Sequence, residues 1–218
     1  MKRFLLFLLA LSLSFSTFAQ SIRVNGYETI LNPKSSETLS EDLKRIQHKK
    51  YLSQDYKPAL VDDFKQKAFL RYNIFEDEME FVKDETIYYI QKAAGRKIQF
   101  MDNTLYKVYT YNGKPQFFLV HQDGENALLA KQEIKFIEAK KATSSYGSDK
   151  PADFKRGKDE LFLAIDNKTL VKLSKNKKAF YNAFGDKAGQ IKKYVKANKL
   201  KYKSMKDLKD IIAHYNTL

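Results

Sequence analysis

Two dipeptides, Asn112-Gly113 and Asp123-Gly124, constrain this fold more than any other feature of the chain. Both residues of such pairs tolerate positive φ, which a two-residue hairpin turn requires. Asn112-Gly113 separates 106–111 from 116–120, two stretches of alternating side chains, and Asp123-Gly124 stands before 127–131. Strands joined this tightly must run antiparallel. Upstream, Leu70, Tyr72 and Ile74 fall on one face of an extended segment, with Phe69, Arg71 and Phe75 on the other. Met79 and Phe81 alternate with Glu80 and Val82, and Ile87 and Tyr89 with Tyr88 and Ile90. Further strands are predicted at 97–100, at 134–137, and at 160–165 and 169–173 around an Asp166-Asn167-Lys168 turn. Near the start, 22–24 reads as a short strand before an Asn25-Gly26 turn.

Periodicity changes near residue 174. Ser174 is placed to cap a helix carrying Ala179, Phe180, Ala183 and Phe184, with Gly185 as its stop. Asp186 is placed to cap a second, with Ile191, Tyr194 and Val195 on one stripe. Ser204 and Asp207 resemble a capping box, and Met205, Leu208, Ile211, Ile212 and Tyr215 follow at three- and four-residue spacing. A short helix capped by Ser40 is expected near 39–43, and Lys57-Pro58 is expected to break regular structure and open the next segment. The expected fold class is α+β: an antiparallel strand-rich body of about six to ten short strands, then a compact C-terminal bundle of two or three short helices. The boundaries are 1–19, 20–137 for the body, 138–158 as a loop or linker containing Ser144-Ser145-Tyr146-Gly147-Ser148 and Pro151, and 159–218 for a hairpin plus lysine-rich helices packed on the body.

The segment 1–19 reads as a secretory leader. Met1-Lys2-Arg3 is followed by an apolar run from Phe4 to Phe15, then Thr17-Phe18-Ala19 with small residues at −3 and −1. The run is too short to span a bilayer comfortably. Export removes nucleic acid as the working partner of a chain with net charge +14. The absence of cysteine excludes disulfides, thiol nucleophiles, Cys-ligated zinc and an N-terminal lipid on cysteine. A periplasmic or extracellular protein that is not a lipoprotein is therefore expected. The charge is concentrated: 167–218 holds 14 lysines against Asp186, Asp207 and Asp210, a net +11.

Two stretches, Phe69-Leu-Arg-Tyr-Asn-Ile-Phe-Glu-Asp-Glu-Met-Glu-Phe81 and the lysine-rich ending through Ile191-Lys-Lys-Tyr-Val195 to Asp207-Leu-Lys-Asp-Ile-Ile-Ala-His-Tyr-Asn216, resemble an uncharacterised family of small exported Bacteroidota proteins. The resemblance implies export and a strand-rich body followed by helices. It implies no activity and no site residues.

No motif of established chemistry is present. Glu76, Asp77, Glu78 and Glu80 form an acidic cluster; paired carboxylates serve glycoside hydrolysis and can hold calcium, but the apolar Met79 and Phe81 beside them favour an amphipathic strand with its carboxylates in water. Asp62-Asp63 is weaker. His48, His121 and His214 lack metal-ligand spacing, although His121 lies close to Asp123, and no serine sits in a Gly-x-Ser-x-Gly setting. The glycines are isolated, so no phosphate loop is expected. Asn167-Lys168-Thr169 matches a glycosylation sequon, which carries little meaning in bacterial export. Neither a metal nor another cofactor is expected. The candidate ligand-binding residues are Tyr72, Tyr106, Tyr109 and Tyr111, whose rings suit stacking on a sugar or a protein patch, although ordinary cross-strand packing explains them without a ligand and is the favoured reading. The candidate anion-attracting residues are Lys177, Lys178, Lys192, Lys193 and Lys196; lysine without arginine gives diffuse, salt-sensitive attraction, or serves solubility alone. The leading expectation is a non-enzymatic binding or structural protein of the bacterial envelope, whose partner is an anionic polymer, lipid headgroups or another envelope protein. The alternative is a small secreted glycoside hydrolase using carboxylates near Glu78 and Glu80.

Overall fold

The computed structural model of the protein describes residues 21–24, 27–30, 40–63, 65–142 and 147–218. The expected leader, 1–19, lies outside the described residues. The chain is α+β, as its patterning predicts. Strands β1 (Ser21–Val24) and β2 (Tyr27–Ile30) pair as an antiparallel ribbon. The main sheet has ten strands: β3 (Lys57–Val61), β4 (Ala68–Asn73), β5 (Glu78–Lys83), β6 (Thr86–Tyr89), β7 (Lys97–Phe100), β8 (Leu105–Tyr111), β9 (Lys114–Gln122), β10 (Ala127–Lys131), β13 (Glu160–Ile165) and β14 (Thr169–Lys172). Their order is β14-β13-β10-β9-β8-β7-β3-β4-β5-β6, and every neighbouring pair is antiparallel.

This sheet curls over itself. Neighbouring strands lie about 4.8 Å apart, so β4 and β8, three steps apart in the order, would be about 14 Å apart if the sheet were flat. Yet the Tyr72 ring of β4 lies 4.9 Å from that of Tyr106 on β8 and 5.9 Å from that of Phe117 on β9. The curl encloses a core of Leu70, Tyr72, Ile74, Met79, Ile98, Tyr106, Val108 and Phe117. The predicted alternation of Leu70, Tyr72 and Ile74 is thus the inner face of β4.

Local chemistry explains the turns. Asp166 and Asn167 have φ of 51° and 53° within the three-residue β13–β14 turn, and Asn112 and Gly113 have 50° and 75°, the left-handed pair that fits two-residue hairpins. Asp84 and Glu85, at 48° and 62°, close β5 onto β6 in the same way. A glutamate is unusual there, so no local signal marked that turn. Asp123-Gly124 works differently: only Gly124 has positive φ, and a Cβ on it would lie 2.7 Å from the Asn216 side-chain nitrogen. That close approach lets the end of the last helix latch onto the β9–β10 loop. Asn216 Oδ1 accepts from the Asn126 backbone N–H at 2.8 Å, and its Nδ2 donates to the Asn126 carbonyl at 2.9 Å.

Two expectations need correction and a third is refined: Lys57-Pro58 does open the next segment, but that segment is a central strand. The Pro58 carbonyl accepts from Met101 N–H just past Phe100, where β7 ends, so the missing proline N–H forfeits no ladder bond. The expected linker 138–158 contains β12 (Asp153–Arg156), which pairs with β11 (Ile134–Ile137) and packs Phe154 into the main core. The helix caps shift as well: Asn176, not Ser174, caps α2 (Lys177–Asn182), and α3 (Ala188–Ala197) starts after Lys187 with no side-chain cap, so Asp186 does not perform that role. Two other helix signals agree with the structure. Ser204 caps α4 (Met205–Tyr215) by accepting from Asp207 N–H, and Ser40 caps α1 (Glu41–Ile46) by accepting from Leu43 N–H.

None of α2, α3 and α4 exceeds 11 residues, below the roughly 12–15 that isolated helices need. They are held by a shared core in which Phe180, Phe184, Ile191, Val195, Leu208, Ile211 and Ile212 pack with Leu128 of β10 and Leu163 of β13.

Candidate functional site

The acidic cluster is a set of ion pairs with distant partners, not a solvated face. Glu80 is fully buried and its carboxylate accepts from Arg71 Nη2 at 2.6 Å, from Asn73 Nδ2 at 2.9 Å and from Tyr51 Oη at 3.1 Å. The Arg71 guanidinium lies 4.0 Å from the Tyr51 ring and 4.5 Å from the Tyr56 ring. Burial, with Glu80 alongside, pushes the Tyr51 hydroxyl far above its ordinary value, so it stays a donor. Glu76 pairs with Lys50 at 2.8 Å.

Asp77 occupies the β4–β5 turn with φ of 58°. Its carboxylate accepts from Tyr72 Oη at 2.6 Å, Lys131 Nζ at 2.7 Å and Lys92 Nζ at 3.3 Å, and from the Phe117 backbone N–H at 3.3 Å. The β9–β10 register stops at Leu119↔Ala130, so Asp77 supplies an acceptor to a β9 N–H that β10 no longer covers. Burial lowers the Lys131 pKa, and Asp77 opposes that shift. Lys92 also meets Glu78 at 3.1 Å; burial raises the Glu78 pKa against this cation.

Glycoside hydrolysis needs an acid and a carboxylate facing one bond across open space. Glu80 has no exposed surface and accepts five hydrogen bonds from three side chains, so it cannot serve as one of that pair. Among the described residues no three Asp, Glu or His side chains are grouped to hold a metal.

The four tyrosines are not an exposed stacking face. Tyr72, Tyr106 and Tyr109 are buried and Tyr111 is half-buried. Alternation also divides them: Tyr72 and Tyr106 belong to the inner core, whereas Tyr109 and Tyr111 pack on Phe118. Burial raises the Tyr109 hydroxyl to about 12. Tyr72 and Tyr106 do reach the wall of a small cavity of about 140 Å³ with Leu70 and Phe100, rimmed by Lys57, Arg71 and Asp102. That is below the range of about 300–1,000 Å³ usual for small-molecule sites.

The lysines are brought together. Lys177 and Lys178 on α2 and Lys192 on α3 line an open groove of about 560 Å³ with Tyr181, Asn182 and Gly189. Lys193 and Lys196 continue along α3, exposed and outside the groove lining. Of the lysines between 167 and 218, only Lys172 has a carboxylate partner among the described residues, Glu160. This helical surface therefore carries a net positive charge. Every carboxylate of the β4–β5 hairpin has a cation, while the α2–α3 lysines have no carboxylate partner among the described residues.

The histidines take separate roles. His214 stacks on Tyr194 at 3.8 Å between α4 and α3, and His48 Nδ1 lies 2.9 Å from the Arg45 carbonyl. Asp123 pairs with Lys107, not with His121. Burial, with Lys209 nearby, holds the His121 pKa below 6.5. Protonation of His121 thus favours the unfolded chain. Stability should fall as pH drops from about 6.5 through the lower folded value. Urea melts across pH 5–7 check this: His121→Gln should flatten the dependence, and an unaltered slope would assign it to other groups.

No family model, curated protein or solved structure matches this chain.

Proposed function

We propose that this is an exported, non-enzymatic binding protein that attaches to anionic material of the bacterial envelope through the α2–α3 lysine groove. Lys177, Lys178 and Lys192 surround one groove with no carboxylate partner among the described residues, and this grouping supports the reading. The leader-like 1–19 segment supports export, and the absence of cysteine fits a chain stabilised by packing alone. Lysine point charges suit a polymer or headgroup surface in which anions recur, not one planar carboxylate held in a fixed orientation.

Deleting the helices is a poor test, because it would expose Leu128 and Leu163 from a shared core. Charge reversal is cleaner. Lys177→Glu/Lys178→Glu/Lys192→Glu alters only exposed side chains that have no carboxylate partner among the described residues. Each lysine near an anionic surface is worth about 1 kcal/mol, so the triple variant should sediment with isolated envelope fractions about 100-fold more weakly at low salt. Wild-type binding should decline across a salt series. Equal sedimentation of the two proteins would overturn the proposal.

A further inference from the structure

A second concavity lies apart from that groove and has a different chemistry. It is a cleft of about 790 Å³ at the open end of the β13–β14 hairpin, beneath the residues that lead into α4. Its walls include Leu161, Leu173, Leu208 and the ring of Tyr202. Lys158, Lys175 and Lys203 line it as exposed cations, with Lys203 Nζ 5.6 Å from the Tyr202 ring centroid. Two carboxylates also border the cleft, but both are engaged: Asp159 pairs with Arg156 and Glu160 with Lys172. Lys158, Lys175 and Lys203 have no carboxylate partner among the described residues. The cleft is thus apolar in its walls and net cationic at its lining, and its volume falls within the range usual for small-molecule sites.

Aliphatic walls favour an alkyl chain, whose transfer from water grows more favourable with each buried methylene. Unpaired lysines at the opening favour an anionic head. We infer that this cleft binds a single-chain amphiphile with an anionic head group, taken up as a free monomer. The chain lies along Leu161, Leu173, Leu208 and Tyr202, and the head rests among Lys158, Lys175 and Lys203. This site is separate from the polyanion groove and does not depend on it.

The test titrates the full chain with dodecanoate and with dodecyl phosphate, each below its micellar concentration, following backbone amides by NMR. Dodecyltrimethylammonium serves as the cationic control. At least one anionic amphiphile should shift amides at Leu161, Leu173, Tyr202 and Leu208, and the cation should bind at least about tenfold more weakly. Lys175→Glu/Lys203→Glu should weaken the anionic amphiphile about tenfold while leaving the unliganded spectrum folded. The Lys177→Glu/Lys178→Glu/Lys192→Glu protein should bind it as wild type does, which separates this site from the proposed envelope attachment. Binding of neither anion, equal binding of the cation, shifts confined to other regions, or indifference to the Lys175/Lys203 reversal would each overturn the inference.

Discussion

Replacing Arg71 by methionine is expected to destabilise the protein by about 3–5 kcal/mol, because it leaves the Glu80 carboxylate buried without its cation. Glu80 has no exposed surface, and the Arg71 side chain is only 15% exposed. Tyr51 and Asn73 still donate to Glu80 in such a variant, but neither supplies charge. Arg71→Met also removes the guanidinium stacked on Tyr51 and Tyr56. Adding Glu80→Leu should recover part of the loss, since replacing both members of a buried pair by apolar groups is far milder than orphaning one. Urea denaturation of the four proteins of that cycle measures the coupling. An Arg71→Met cost below about 1 kcal/mol would mean that the pair does not hold β4 to β5.

The second large effect is expected at Asp77. One carboxylate there ties the β4–β5 turn to Lys131 on β10, to Lys92, to Tyr72 and to a β9 backbone N–H. These elements are far apart in sheet order, so Asp77 fastens the curl that the apolar core defines. Asp77→Ala should cost about 3–5 kcal/mol by leaving buried donors unpaired. Asp77→Asn separates charge from conformation: asparagine tolerates the positive φ of this turn, so its cost, about 2 kcal/mol, reads the loss of charge. Hydrogen exchange at the Phe117 amide should rise in both variants. Unchanged stability in both would show that the hydrophobic contacts of Tyr72 with Tyr106 and Phe117 close the sheet alone.

These two residues also mark where sequence reading ends. The local signals worked where local chemistry decides the structure. Asn112-Gly113 sets the β8–β9 hairpin, alternation at Leu70, Tyr72 and Ile74 identifies the inward face of β4, and Ser204 caps α4. They failed where a distant partner decides. Pro58 is tolerated in a central strand because of where β7 happens to end, and polar composition concealed β12, whose Phe154 is buried by contacts made elsewhere. The acidic cluster looked solvated because its cations lie 15, 26 and 54 residues away, as Lys92, Lys50 and Lys131. The tyrosines illustrate the same limit: composition cannot separate a ring buried between curled strands from one offered to a ligand. The lysine groove was legible in part, because clustering of charge in sequence survives as clustering on short adjacent helices. Its concavity, and the cleft beneath Tyr202, depend on tertiary packing that no spacing encodes.

The most direct test of the central claim, that the working surface is the uncompensated lysine groove and the acids are structural, is a titration of the full chain with inorganic polyphosphate over a salt series, read residue by residue by NMR. Amide shifts at Lys177, Lys178 and Lys192, an affinity that falls steeply with salt, and silence across the β4–β5 hairpin are expected. Salt-independent binding, or shifts centred on 76–80 with the α2–α3 groove unmoved, would contradict that claim.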